Sequence, residues 1–525
     1  MKILIADEMD ARALEVFSEE GFETVYRPEI SAAELLGDVA EYDALIVRSR
    51  TKVSREVLRV GTRLKLVGRA GAGVDNIDVA EATRRGVIVM NTPGGNTVST
   101  AEHTISLMLA LSRNIPRADR SVREMRWERK EFTGTEVSGK TLGLVGLGKV
   151  GSEVARRAIG LDMSVIACDP LVAAGAAEKS GIELVELPEL FRRSDYISVH
   201  TPLTEETRNL LDGSTLAMCK RGVRIINCAR GGIVNEADLL TALSDGRVAG
   251  AALDVFEHEP PDCKELLQHP GVVCTPHLGA STGEAQKKVA VQIARQVADY
   301  FRERGIAGSV NADQIRLSLK RELQPYLEVS EKMGLLMTQL KSGPVTRINL
   351  VLRGELHRDA REVIQSAFLV GFLSTMLADT VNLVNATIIA GERGISIQTT
   401  SDEGHARYPL EISAECYSGV LKKTVTGTVF GNDDVRIIGI DDYHFDMKPR
   451  GHHLVYYNID RPGMLAKVST ILARRSINIA DLSLGRLKAG ERALTVIATD
   501  QQVPAGVRDE ISRIDGISEV SSVVL

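Results

Sequence analysis

Between residues 2 and 304 short apolar runs alternate with stretches of helical periodicity, the pattern of a parallel α/β fold. Strands are predicted at 2–6, 44–47, 64–67 and 87–90, and then at 141–145, 165–169, 197–200, 224–227, 250–254 and 272–275. Each strand of the second group ends in polar or glycine residues, which in a doubly wound sheet line the crevice where ligands sit. Ser99-Thr100-Ala101-Glu102 and Ser281-Thr282-Gly283-Glu284 both match a capping box, so long helices are expected near 100–112 and 282–304. Two such helices would carry the chain out of one domain and back. The expectation is a domain of residues 99–281 inserted into an earlier one made of 1–98 and 282–306.

Residues 305–313 read as a linker. The stretch 314–450 mixes strands (347–353, 410–418, 424–430) with a helix (359–377), an α+β pattern that contains no catalytic motif. Residues 451–525 run strand, helix, strand, strand, helix, strand, which is the ferredoxin-like order.

The first of the inserted strands opens onto Gly146-Leu147-Gly148-Lys149-Val150-Gly151, and the next closes on Asp169. In such a βαβ unit Gly146 permits the tight turn, Gly148 lets backbone approach a pyrophosphate, and Gly151 allows close packing of helix on strand. The helix that follows aims its first amides at phosphate. Asp169 would accept hydrogen bonds from a ribose diol and repel a 2′-phosphate, which favours NAD over NADP.

Composition narrows the classes without changing this picture. With 525 residues, 44% hydrophobic and 26% charged, the chain has material for three or four globular domains. A net charge of -6 argues against general nucleic-acid binding. The six cysteines show no C-x-x-C pair and no metal-ligand spacing, and read as reduced residues of a cytoplasmic protein. The opening residues are already a strand signal, and no stretch of about 18 apolar residues follows, so neither export nor a membrane span is expected.

Hydride transfer from an alcohol to nicotinamide needs a group to take the hydroxyl proton and a cation to orient the substrate. His277, in Thr275-Pro276-His277-Leu278-Gly279-Ala280, suits proton transfer near neutrality. Glu259, in His258-Glu259-Pro260-Pro261, could hold that ring in one tautomer. Arg230, where a strand gives way to Gly231-Gly232, could grip a carboxylate in bidentate fashion. Each also fits a plainer role: a hydrogen-bonded structural histidine, a solvated Glu-Pro turn and a surface charge. Spacing alone does not choose.

The runs Asn227-Cys228-Ala229-Arg230-Gly231-Gly232-Ile233-Val234, Ala252-Leu253-Asp254-Val255-Phe256, Glu259-Pro260 and Pro276-His277-Leu278-Gly279-Ala280-Ser281-Thr282 resemble the signatures of the D-isomer-specific 2-hydroxyacid dehydrogenases. Val47-Arg48-Ser49 and Gly68-Arg69-Ala70-Gly71-Ala72-Gly73-Val74-Asp75-Asn76 extend the resemblance to the phosphoglycerate-oxidising branch of that family. The resemblance implies a flavodoxin-like substrate domain around a Rossmann-type NAD domain. It implies that Arg230 binds the substrate carboxylate, Glu259 supports the histidine and His277 is the acid/base. It assigns Lys149, Val150, Asp169, Thr201, Cys228, Ala229, Asp254, Gly279 and Ala280 to the NAD pocket, beside the three glycines, Arg230 and His277. Arg48, Ser49 and Arg69 would meet the substrate phosphate, and Asn96 would border the substrate. Arg129, near a family dimer contact, would reach a neighbouring active site. Several relatives have threonine where Ala72 stands, which leaves one cofactor or substrate hydrogen bond open.

The tail resembles an ACT regulatory domain, with Asp460-Arg461-Pro462-Gly463-Met464-Leu465 at its first turn, and 314–450 resembles the extra domain of the long form. By resemblance, paired ACT domains bind serine, and Asn458, Asp460 and Asn478 match the polar positions. His444, Lys448, Arg450 and His452 are compatible with an anion site but fit a solvated basic turn as well. The implied activity is oxidation of 3-phosphoglycerate, more fully 3-phospho-D-glycerate, to 3-phosphohydroxypyruvate with NAD. This is the first step towards L-serine, in a homodimer or homotetramer under serine feedback. Two rivals are a dehydrogenase of another 2-oxo acid such as 2-oxoglutarate and a non-catalytic NADH-sensing scaffold.

Overall fold

The computed structural model describes residues 1–340, 343–354, 360–375, 381–402 and 408–525, without the side chains of 174, 176, 313, 314 and 316. Its first sheet consists of β1 (Lys2–Ile5), β2 (Glu23–Tyr26), β3 (Ala44–Val47), β4 (Leu66–Arg69) and β5 (Ile88–Met90). All five are parallel in the order β2-β1-β3-β4-β5, the flavodoxin-like order. Burial on both faces explains the unbroken apolar reading of β3, whose four residues are all buried. β2 escaped the sequence reading because it lies at the sheet edge, where Glu23 and Tyr26 are exposed and the apolar run is broken.

The chain leaves this domain along the helix Thr97–Ser112 and returns along Gly283–Phe301. Val289, Ile293 and Val297 of the returning helix join Ile3, Ile5 and Ile46 in one core. Both helix starts differ from the expected capping boxes. The first helix begins three residues earlier, at Thr97 with Asn96 as N-cap, and Ser99 instead donates its hydroxyl to the carbonyls of Asn96 and Gly279. The second is capped by Thr282, which accepts from the amide of Ala285.

Between these helices lies the second sheet: β6 (Thr141–Val145), β7 (Ser164–Cys168), β8 (Glu183–Leu184), β9 (Tyr196–Val199), β10 (Val223–Asn227), β11 (Val248–Leu253) and β12 (Val272–Cys274). The order β12-β11-β10-β9-β6-β7-β8, all parallel, reverses direction between β9 and β6, as in a Rossmann sheet.

The expected linker is docked on the first sheet. The amide of Val310 donates to the carbonyl of Val89, that of Asn91 to Gly308, and the Asn311 side chain accepts from Val89. The glycine and polar content that marks a loop is thus used to extend the free edge of β5, a pairing no local pattern encodes. The third sheet holds β13 (Arg347–Gly354), β14 (Ser396–Asp402), β15 (Leu410–Ser418), β16 (Leu421–Phe430), β17 (Asp434–Ile440) and β18 (Tyr443–Met447). Its order is β14-β13-β15-β16-β17-β18, antiparallel except for the β13–β14 pair. The helix predicted over 359–377 is described as Ala360–Ser374; Asp359, Met376 and Leu377 lie outside the described residues.

The last sheet comprises β19 (His452–Ile459), β20 (Ile479–Arg486), β21 (Arg492–Thr499) and β22 (Ile517–Val524), in the ferredoxin-like order β20-β21-β19-β22. Leu454 and Tyr456 face the helices of the same domain, with Val468 and Ile511. The alternate residues Val455 and Tyr457 pack into the core of the preceding domain, with Met333, Leu336 and Ile440. The expected boundary at 450/451 is therefore a seam inside one hydrophobic core. Among the described residues no helix is long and apolar enough to cross a membrane.

Candidate active site

Three glycines shape the loop after β6 as their spacing requires. Gly146 has φ +96°, and a Cβ there would lie 2.7 Å from the carbonyl oxygen of His200. A Cβ on Gly151 would lie 2.2 Å from the carbonyl oxygen of Gly146, whereas one on Gly148 would meet nothing within 4 Å. The middle glycine thus fronts open space at the start of the helix Lys149–Ile159, the place a pyrophosphate takes. Asp169 turns its carboxylate to this loop and accepts from the amides of Leu147 at 2.8 Å and Leu171 at 2.9 Å. The hydroxyl of Thr201 is buried with no partner in the chain, as for a group awaiting a ligand. Burial pushes the thiol of Cys228 up to about 12, so it stays protonated and offers an apolar wall. These residues fit a dinucleotide.

The reacting groups come from neighbouring strand ends. Asn227 of β10 is in register with Leu253 of β11, and Leu253 with Cys274 of β12. Arg230, Asp254 and His277 leave those strands within three residues, at one edge of the sheet. Asp254 is 1% exposed, and its carboxylate accepts from the amides of Leu278 at 2.7 Å and Gly279 at 2.8 Å and from the Thr275 hydroxyl at 2.6 Å. Its fourth contact is the His103 Nε2, 3.2 Å away. Burial alone would raise the Asp254 pKa, but these donors outweigh it and hold the group below the ordinary carboxylate range. Asp254, whose only signal was a place in the resemblance, therefore pins the turn that carries His277.

Within that turn His277 has φ +56°, and its Nδ1 lies 2.8 Å from Glu259 Oε2. A carboxylate oxygen accepts hydrogen bonds, so this contact gives Nδ1 the donor role and leaves Nε2 as the ring nitrogen for proton exchange. The other oxygen of Glu259 accepts from the amide of Phe256 at 3.3 Å. Arg230 is held by its own turn: its carbonyl accepts from the Asn227 amide group at 2.8 Å, and Nη1 donates to the carbonyl of Ala229 at 2.7 Å.

Opposite stands the turn after β4. Arg69 donates from Nη1 to the carbonyl of Gly73, while its Nε is buried without a partner. Burial pushes its pKa down; Arg230 and Arg48 push the same way, and Asp75 and Asp7 oppose them. Arg69 thus feels the charge of the other two guanidiniums that the sequence singled out. Arg48 and Ser49 sit on a loop fixed by buried Asp7, which accepts from the amides of Arg48 at 2.5 Å and Thr51 at 3.3 Å. Asn76 ties that loop to the Arg69 turn by donating to the carbonyls of Arg48 at 2.7 Å and Thr51 at 2.6 Å. Ala72 contributes its carbonyl, which accepts from Asn91 at 2.5 Å. Lys149 donates to the carbonyl of Pro93 at 3.4 Å, and Asn96 donates to Thr100 at 3.3 Å. Val150 lies in the first turn of the helix Lys149–Ile159, and Ala280 in the turn that follows His277. Arg129 stands apart, in a surface cavity with Arg117, Arg126 and Trp127.

The effector positions do not converge within one chain. Asn458 is buried and accepts from the Thr495 hydroxyl at 2.8 Å, and Asp460 pairs with Arg486 at 3.1 Å. Asn478 donates to Asp500 at 2.8 Å. Asn458 is level with Ala493 in the sheet, whereas Ile479, next to Asn478, is level with Thr499. Six strand residues separate the two levels, about 20 Å at the usual rise.

Sequence reasoning missed His103, Asp75 and Asn76. His103 carried one available signal, a titratable residue four positions after buried Ser99 on the helix Thr97–Ser112.

Residues 105–279 match the model of the D-isomer specific 2-hydroxyacid dehydrogenase NAD binding domain, 322–441 the D-3-phosphoglycerate dehydrogenase intervening domain, and 453–516 the ACT domain. A D-3-phosphoglycerate dehydrogenase of Archaeoglobus fulgidus is 41% identical over 100% of both chains. One of Bacillus subtilis is 40% identical over 100% of this chain and 99% of its own. Among solved structures, a formate dehydrogenase of Staphylococcus aureus in complex with NAD is 29% identical with a TM-score of 0.53, covering 58% of this chain and 96% of its own. The apo D-lactate dehydrogenase of Escherichia coli is likewise 29% identical, with a TM-score of 0.54 over 59% of this chain and 100% of its own. With its full length matched, this chain belongs to the D-3-phosphoglycerate dehydrogenase family, the long-form branch of the NAD-dependent D-isomer-specific 2-hydroxyacid dehydrogenases.

Proposed function

We propose that the chain oxidises 3-phospho-D-glycerate to 3-phosphohydroxypyruvate, and that the residues assembled above carry the reaction. The observation that carries this reading is the His277–Glu259 pair at 2.8 Å on the sheet edge that also presents Arg230. NAD, when bound, supplies the hydride acceptor. Gly148 and the first amides of the helix Lys149–Ile159 hold its pyrophosphate, and Asp169 its ribose. Arg230 grips the substrate carboxylate and polarises the developing carbonyl. Nε2 of His277 takes the C2 hydroxyl proton, while Glu259 holds Nδ1–H and stabilises the imidazolium that forms. In the reverse direction that imidazolium returns the proton. Arg69 and Arg48 receive the phosphate, which matches the orphaned buried Nε of Arg69.

Substrate choice is tested by kcat/KM for phosphohydroxypyruvate against 2-oxoglutarate, read from NADH absorbance. Arg69→Gln and Arg48→Gln are expected to lower the ratio by about tenfold or more each, since a charge-assisted contact contributes about 1.5–3 kcal/mol. An unchanged ratio would remove phosphate recognition from these residues. Absence of turnover in the unaltered chain would leave the NADH-sensing scaffold.

Two surfaces extend the reading. Trp127 is 79% and Met125 93% exposed, an apolar display on a monomer that fits association into a homodimer or homotetramer, with Arg129 reaching a neighbour's site. Serine regulation follows from the tail. Because Asn458 and Asp460 lie a sheet-length from Asn478, a serine pocket using all three takes them from two copies. Serine is expected to lower the rate, and Asn478→Ala to relieve the inhibition; a rate indifferent to serine would leave the tail as an assembly module.

A further inference from the structure

Arg230 does not face an empty cleft. Its Nε lies 3.2 Å from Oδ2 of Asp75, a residue of the other domain 155 positions earlier in the chain. The approach is close enough to require glycine nearby: a Cβ on Gly73 would lie 2.2 Å from Arg230 Nη2 and 2.5 Å from Asp75 Oδ2. Asp75 itself is held in place from both sides. The amide of Ile77 donates to the carbonyl of Val74 at 2.9 Å, and that of Val53 to Asn76 at 2.8 Å, so the turn is pinned. Its side chain remains 64% exposed. It is also the carboxylate whose field acts most strongly on half-buried Arg69, against the repulsion of Arg230 and Arg48.

We infer that Asp75 is the stand-in anion of the substrate cleft: it neutralises the converging guanidiniums, holds Arg230 across the domain boundary, and yields that guanidinium to the incoming carboxylate. The inference rests on the assignment of Arg230 as carboxylate receptor. Without Asp75, the mutual repulsion of the guanidiniums would add to their attraction for an incoming anion. A carboxylate from the opposite domain offsets that repulsion, and the pair is weak because the solvent reaches it. A substrate that brings its own carboxylate and phosphate replaces the internal pair with stronger, bidentate contacts. A neutral analogue cannot make that exchange. Asp75 is thus a positioning residue that sets the affinity threshold for anionic substrates.

Asp75→Asn keeps the size and the turn while removing the charge. It is expected to lower KM for phosphohydroxypyruvate by about two- to fivefold, the upper part of the range for an exposed pair, with the change in KM rather than kcat. Asp75→Glu, which retains the charge, is expected to stay nearer the unaltered protein. The independent readout is calorimetric titration of oxalate into the full chain with NADH bound, where Asp75→Asn should bind oxalate tighter by a similar factor. A KM and an oxalate affinity that weaken, or neither of which moves, would overturn the inference, because a residue that only shapes the turn gives no gain on losing its charge. Tighter oxalate binding in a chain that does not turn over phosphohydroxypyruvate would overturn the substrate assignment and leave the stand-in anion intact.

Discussion

Replacing His277 with alanine is expected to lower kcat for phosphohydroxypyruvate reduction by a hundredfold or more, with NADH binding nearly intact. A positioned general acid or base contributes about 10²–10⁴ in rate. The ring does not contribute to the glycine loop, where Gly148 fronts open space and Asp169 accepts from Leu147, so the cofactor should still dock. One structural effect must be separated from the chemical one. His277 sits at φ +56°, a conformation that alanine adopts at some cost, and its turn is held by the buried carboxylate of Asp254. Asn tolerates left-handed backbone better than Ala. His277→Asn should therefore be as inactive as His277→Ala while matching the unaltered chain in thermal unfolding. Turnover within a few-fold of the unaltered chain in either variant would remove His277 as the proton carrier.

The second large effect is expected at Arg230. Arg230→Gln removes a guanidinium that meets a substrate carboxylate, and losing one partner of such a charge pair costs about 2–5 kcal/mol. That corresponds to a fall in kcat/KM between about thirtyfold and several thousandfold. Because Arg230 polarises the carbonyl as well as holding the carboxylate, both kcat and KM should move. Arg230→Lys should recover little, since a single ammonium cannot reproduce the planar fork. The turn around the residue survives either change: Asn227 binds the carbonyl of residue 230, not its side chain, and Gly231 keeps its close approach to Phe256. Unchanged kcat/KM in Arg230→Gln would transfer carboxylate recognition elsewhere in the cleft and remove the basis for the role assigned to Asp75.

The two halves of this site were legible to different degrees. The glycine loop could be read directly because its chemistry is local. Residues 146, 148 and 151 must satisfy one turn, one approach and one packing contact within six positions; in the structure Gly146 takes a positive φ, Gly151 packs against the carbonyl of Gly146, and Gly148 fronts open space. Likewise β1, β3 and β6 announce themselves as continuous apolar runs because they are covered on both faces. His277, Glu259 and Arg230 were visible as residue types in suggestive places, yet each fitted a plainer role until resemblance and then geometry brought them together. The role of His103 was not legible because its partner Asp254 is 151 positions away. Asp75 was legible only as part of a turn, since the charge it meets comes from another domain.

By itself the sequence determined the α/β alternation and most of its buried strands, the inserted arrangement and the dinucleotide loop, because hydrophobic period and turn chemistry act between residues a few positions apart. Tertiary structure alone decided that 306–312 would extend β5, that the last two domains would share one core, and that Asp254 would fix the His277 turn. It alone set Asp75 against Arg230. The physical reason is the same in each case: edge pairing, burial and charge pairing are satisfied by whatever groups the fold brings together, and no local pattern records which distant group that will be.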